Sequence, residues 1–124
     1  MIFINRLGKV IFHNDTNLHH RLNGPAEIYG NRQEWWLNGK CHRLDGPAII
    51  HDERKSWYVN GEPHRMDGPA VIHGNYQAWW ENGKRHRLDG PAIIFHNGDK
   101  SWYINNKKYT ESEYQEKIKE MGLV

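Results

Sequence analysis

The chain has 124 residues, 37% of them hydrophobic, and its 17 basic and 15 acidic side chains leave a formal charge of +2. That length fits one domain or one short repeat array, and so small a charge excess makes no case for nucleic acid. A single cysteine, Cys41, excludes an internal disulfide and a cysteine-based zinc cage.

Six Trp, six Tyr and three Phe set the chain apart from disordered sequences, which are poor in aromatics. A folded protein with a thin, ring-rich core is expected. The opening stretch "MIFINRLGKVIF" is apolar but holds Asn5, Arg6 and Lys9, so it reads as neither a signal peptide nor a membrane span. A soluble protein of the cytoplasm, without membrane contact, is the expectation. Residues 1–19 are predicted to form a degenerate half-repeat that caps the array. Their "NRLGKVIFHND" echoes the later "HRLDGPAIIFHNGD" and then stops before a Trp strand.

From residue 20 the chain repeats. His20, His42, His64 and His86 are spaced by 22 residues, and Trp35, Trp57, Trp79 and Trp102 follow with one residue inserted before the last. Periods of 20 to 50 residues mean stacked supersecondary units, which outranks local propensity as evidence for fold. Each copy reads His-Arg-Leu/Met-Asp/Asn-Gly-Pro-Ala, an apolar run, a polar turn, Trp-Trp/Tyr, then Asn-Gly or Asn-Asn. In the second copy, Ala48-Ile49-Ile50-His51 predicts a strand, Asp52 to Lys55 a turn, Ser56-Trp57-Tyr58-Val59 the return strand, and Asn60-Gly61 a second turn. Pro47 suits a strand's first residue, where no ladder bond is lost. Residues 20–109 are therefore predicted to form four β-hairpin repeats. The fold class is mainly β: an antiparallel meander of eight strands, with a coiled β-helix as the weaker alternative. Residues 110–124 predict a C-terminal capping helix, with Thr110 and Glu113 as a capping box and Tyr114, Ile118 and Met121 as its apolar stripe.

Alternation across strands divides the aromatics. Trp35, Trp57, Trp79 and Trp102 share one face with the alanines and isoleucines of the first strands, and this uniform set is expected to be the core. Trp36, Tyr58, Trp80 and Tyr103 then share the opposite face with Tyr29, His51, His73 and Phe95. That second aromatic face is the candidate binding surface, with Arg43, Arg65 and Arg87 at its rim.

The repeated His-Arg pairs invite three chemical readings. Equivalent histidines lie two strands apart, about 9.6 Å, too far to share a metal ion held at ~2.0–2.3 Å. His42, Arg43 and Asp45 could pair a base with an oxyanion partner, but no nucleophile recurs beside them and enzymes concentrate one constellation in one cleft. Arginines near flat rings match nucleotide or single-strand binding, although an Asp or Asn two positions on neutralises the stripe. No enzyme, metal or cofactor is expected, and "HRLDGPAII" reads as an architectural corner.

The strings "WYVNGEPHRMDGPA" and "WWENGKRHRLDGPA" resemble the MORN repeat, a meander of hairpins of this length. They are more similar to a viral variant of it, found in phage and giant-virus proteins, with the motif Trp-Tyr/Trp-x-Asn-Gly-Lys-x-His-Arg-x-Asp-Gly-Pro-Ala. The helix start "TESEYQ" fits that variant too. The resemblance implies a phage accessory protein that binds and inhibits a host protein, plausibly a defence component. Two alternatives share the same face: a sponge for an anionic nucleotide or single strand, and a self-assembling homo-oligomer.

Overall fold

The computed structural model describes residues 1–123, so Val124, at the end of the predicted helical segment, lies outside the described residues. The chain opens with β1 (Ile2–Ile4) and β2 (Val10–Phe12). The first copy supplies β3 (Glu27–Tyr29), β4 (Arg32–Glu34), β5 (Trp36–Leu37) and β6 (Lys40–Cys41). The second supplies β7 (Ile49–His51), β8 (Arg54–Ser56), β9 (Tyr58–Val59) and β10 (Glu62–Pro63). The third supplies β11 (Val71–His73), β12 (Tyr76–Ala78), β13 (Trp80–Glu81) and β14 (Lys84–Arg85). The last has β15 (Ile93–Ile94), β16 (Lys100–Ile104) and β17 (Lys107–Tyr109), followed by α1 (Glu111–Glu120).

Eleven strands form one antiparallel meander in chain order, β1-β2-β3-β4-β7-β8-β11-β12-β15-β16-β17. The remaining six make three minor hairpins, β5 with β6, β9 with β10 and β13 with β14. The meander is the expected one, but each predicted Trp strand of the first three copies is split at its Trp. There the backbone leaves its own hairpin for the next copy. The N–H groups of Trp35, Trp57 and Trp79 donate to the carbonyls of Ala48, Ala70 and Ala92 at 2.7 Å each. Those alanines are 0% exposed, so no larger side chain fits where the copies cross. In the last copy no further alanine follows, and β16 runs unbroken from the major sheet into its ladder with β17.

The corner at residues 42–47 explains "HRLDGP". Arg43 lays its guanidinium over the Trp35 ring of the preceding copy, with Cζ 3.9 Å from the centroid. Its Nη1 donates to the Pro47 carbonyl at 3.1 Å and its Nε to Asp45 Oδ1 at 3.1 Å. Arg65 and Arg87 repeat this over Trp57 and Trp79 at 3.9 and 3.8 Å. Gly46 leaves room for this group, since an added Cβ would lie 3.0 Å from Arg43 Cζ. The Asp is the least important partner: Asp45 is 88% exposed, where an ion pair contributes ~0–1 kcal/mol. The first copy is an internal control, since Asn23 replaces the Asp and Arg21 still bonds it at 3.3 Å and Pro25 at 3.2 Å.

Arg21 also corrects the reading of the N-terminal segment. Its Cζ sits 4.0 Å from the centre of Phe12, and Phe12 donates its N–H to Ala26 as the Trp residues do to later alanines. Val10-Ile11-Phe12 therefore matches the Trp strand, with Phe in place of Trp, and not the strand after Gly-Pro-Ala. β1 is its hairpin partner, with Phe3 opposite Ile11.

At the other end Trp102 has no following arginine. α1 takes the place of the next corner, its N-cap Thr110 and Glu113 forming the expected capping box. Tyr114 and Ile118, 2% and 3% exposed, pack on Ile104, Trp102 and Leu88. The Tyr114 hydroxyl donates to the Arg87 carbonyl at 2.7 Å and accepts the Gly90 N–H at 3.3 Å. Met121, predicted to join that stripe, is the C-cap residue and remains exposed.

The two faces do not divide into one core and one spare side. Register places Ile49, Ser56, Val71, Ala78, Ile93 and Ser101 on the face opposite the Trp35-type rings. There Ser56, Ala78 and Ser101 are buried, while the Trp35-type face is roofed by the corner loops. Rings of both columns end up half-buried.

If the guanidinium is pinned rather than mobile, Gly68→Ala will destabilise the protein by about 1 kcal/mol or more, since the new Cβ meets Arg65 at 3.0 Å. Arg65→Ala should cost about 2 kcal/mol through the lost ring stack and the unmet Pro69 carbonyl, and Asp67→Asn less than about 0.5 kcal/mol. Urea unfolding of the double variant checks the coupling: the Gly68→Ala cost should vanish in the Arg65→Ala background.

Candidate functional site

The minor hairpins carry the predicted aromatic row. Their turns need two consecutive residues with positive φ, and Asn38-Gly39, Asn60-Gly61 and Asn82-Gly83 provide them at +48 and +78°, +50 and +80°, and +50 and +75°. In the last copy Asn105 and Asn106 do so at +47 and +70°. Each hairpin is tied to the histidine that opens its own copy and to a carbonyl of the preceding segment. The Asn60 N–H donates to His42 Nδ1 at 2.9 Å, and the Gly61 N–H to the Cys41 carbonyl at 2.8 Å. Asn38, Asn82 and Asn105 use His20, His64 and His86 in the same way at 3.0, 2.9 and 3.0 Å. A backbone N–H can only donate, so each of these imidazoles accepts through its Nδ1 lone pair.

Trp36, Tyr58, Trp80 and Tyr103 occupy equivalent places in successive copies, each half-buried and each giving its carbonyl to the N–H of a corner arginine. Cross-strand pairing sets a different residue beside each: Cys41 beside Trp36, Pro63 beside Tyr58, Arg85 beside Trp80 and Lys108 beside Tyr103. The cross-strand neighbour is thus apolar in the first two copies and basic in the last two. Arg85 lies between two rings, its Cζ 5.1 Å from Trp80 and 5.2 Å from Tyr103.

Arg43, Arg65 and Arg87 are not brought to this row. They lie on the Trp35-type side, stacked and hydrogen-bonded, their side chains 20–23% exposed. The basic part of the aromatic face comes instead from Arg85 and Lys108. Their signal in the sequence was their place across an Asn-Gly or Asn-Asn turn from an aromatic residue, a pairing that needs the hairpin register.

The first-copy end of the row is polar and internally satisfied. Trp36 Nε1 donates to Glu34 Oε1 at 2.9 Å, and Arg32 holds the other carboxylate oxygen. Glu27, directly opposite Glu34, is paired with Lys9 and lies 3.4 Å from His19 Nε2. Where Glu34 stands, later copies have Ser56, Ala78 and Ser101, so only Trp36 is anchored by a carboxylate. Burial, with a smaller contribution from Glu34, pushes the Cys41 thiol up to about 12, which leaves it protonated and unsuited to nucleophilic or metal chemistry at neutral pH.

A second surface escaped sequence reasoning. Leu22, Leu44 and Met66, on the corner loops, are 83%, 80% and 72% exposed, and only Leu88 of this set is covered, by α1. Between the loops open clefts of about 540 Å³ recur, one beside Leu22, Trp35 and Leu44, another beside Met66, Trp79 and Leu88. The third corner position carried no signal in the sequence; the fold shows it exposed on the loops.

Cys41 provides a test of this packing. At neutral pH iodoacetamide should label the native thiol on the order of 10³-fold more slowly than the urea-unfolded chain, as the raised value implies for the thiolate fraction. Fast native labelling, followed by mass spectrometry, would show that the first minor hairpin is open.

No protein-family model matches the chain, and no curated protein or solved structure matches it significantly. Among the described residues no helix is long and apolar enough to cross a membrane.

Proposed function

We propose that the chain is a non-enzymatic binding protein, a viral accessory protein of the MORN-like kind that engages a host protein and blocks it. The observation that carries this reading is the aromatic row with its basic end: four half-buried rings at equivalent places in successive copies, with Arg85 bracketed by Trp80 and Tyr103. Half-buried Trp and Tyr beside Arg are the side chains that dominate protein interfaces, because rigid rings bury large areas at small entropic cost. The residues that repeat most faithfully support the absence of a reaction centre. Each corner His accepts a backbone N–H and each corner Arg holds a backbone carbonyl, which makes them parts of the scaffold. A defence component of the host is the partner that the resemblance favours.

One observation favours a second reading. A guanidinium between two rings, with Lys108 across the strand from Tyr103, also suits an anionic nucleotide. It is the weaker reading, because the arginine stripe expected to hold phosphates is engaged elsewhere and faces exposed Asp45, Asp67 and Asp89.

The immobilised protein should retain one host protein in stoichiometric amount from lysate. Trp80→Ala should weaken that capture about 30-fold or more, the effect of losing a ~2 kcal/mol anchor, with an unchanged circular dichroism spectrum. Leu44→Ala, on the opposite side, should not affect it. Thermal shift with cyclic dinucleotides separates the alternative: a ligand at 100 times its dissociation constant would add ~2.7 kcal/mol of stability. A large shift that Arg85→Ala abolishes would replace the protein-partner reading.

A further inference from the structure

The two ends of the array are finished differently. The C-terminal end is closed by α1, and its last strand, β17, carries Lys107 and Lys108, the charged residues that discourage edge pairing. The N-terminal end is β1, whose three residues are Ile2, Phe3 and Ile4, with no charge and no proline. They are 60%, 51% and 64% exposed, and Met1 and Leu7 beside them 85% and 75%.

The hydrogen-bond register shows which backbone groups are open. Met1 and His13 exchange bonds at 3.1 and 2.8 Å, and Asn5 donates to the Lys9 carbonyl at 3.0 Å. Bonded pairs alternate along an antiparallel ladder, so Phe3 faces Ile11 and the N–H and C=O groups of Ile2 and Ile4 point away from the sheet. An edge of this kind is matched by another strand, and its own copy matches it without remainder. With Phe3 opposite Phe3 of the second copy on a two-fold axis, Ile2 bonds Ile4 of the partner, and Ile4 bonds Ile2. Every open group is then satisfied, and apolar side chains meet on both faces.

We propose that β1 is a dimerisation edge, through which two copies join head to head into one continuous antiparallel sheet. This surface is separate from the aromatic row and stands independently of the function assigned to it. A second copy is the favoured occupant because the pairing is self-complementary and uncharged. Head-to-tail growth would instead set β1 against the lysines of β17. A strand of three residues covers much less than the ~1,600 Å² of a standard interface, so the dimer is weak, reversible and concentration-dependent.

Sedimentation velocity over a concentration series tests this. The mass should rise from 14.7 kDa towards twice that value as the protein reaches high micromolar concentration. Ile4→Lys and Ile2→Lys should each hold it at the monomer mass; both side chains are exposed, and circular dichroism confirms that the variants fold. In a Cys41→Ala background, Phe3→Cys should cross-link to a dimer on mild oxidation, because the two Cβ atoms would face each other at ~4.5–5.5 Å. A monomer at every concentration overturns the proposal. So does a dimer that both lysine variants preserve, or one that Phe3→Cys does not cross-link, since each places the contact elsewhere. Recruitment of a different protein's strand to β1, with no self-association, also overturns it.

Discussion

A guanidinium lying flat on the indole of the preceding copy is the contact on which the rest of this protein depends. Arg43, Arg65 and Arg87 each place Cζ within 3.8–3.9 Å of a ring centre and use the plane of the same group to hold a Pro carbonyl. Lysine could not do both, since its ammonium is a point charge with no flat face and no fork of donors. Once that group is in place, the surrounding sequence follows from it. Glycine leaves room for it, proline offers a carbonyl that no strand claims, and alanine sits where the two copies cross. The stack is formed between copies and not within one, so it sets the pitch of the array as well as holding each corner.

The ends of the array show the same constraint from another side. Phe12 supplies a ring for the first arginine, and the last ring, Trp102, receives Tyr114 and Ile118 of α1 in place of an arginine. A repeat protein cannot leave its terminal ring open on the loop face without exposing a large apolar surface. The edge strand β1 is the exception, exposed on both faces. That asymmetry between a sealed end and an open one is a property of the whole array, invisible in any single copy.

Because the most faithful repeats are committed to backbone and rings, specific chemistry must come from positions that differ between copies. The residue across the turn is the best example: Cys41, Pro63, Arg85 and Lys108 give four equivalent ring positions four different neighbours. The residue before each Trp is another, with Glu34 alone among smaller side chains. Variation of this kind lets one scaffold present a surface that differs from copy to copy, a carboxylate cluster at Trp36 and basic side chains at Trp80 and Tyr103, without altering the corner.

Period, hairpin turns, capping box and the alternation of aromatics were all legible in the amino-acid sequence, because each rests on contacts between residues a few positions apart. Asn60-Gly61 dictates its turn wherever it occurs, and Thr110 with Glu113 dictates a helix start. Four other matters were settled only by tertiary structure. These are the placing of the arginines opposite the aromatic row, the alignment of Phe12 with the Trp residues, the outward aim of Leu22, Leu44 and Met66, and the pairing of Arg85 with Trp80. Where a partner is involved, it lies in a neighbouring copy or across a hairpin. A sequence repeated four times names the residues that meet but not which copy each one reaches, and that choice belongs to the packing.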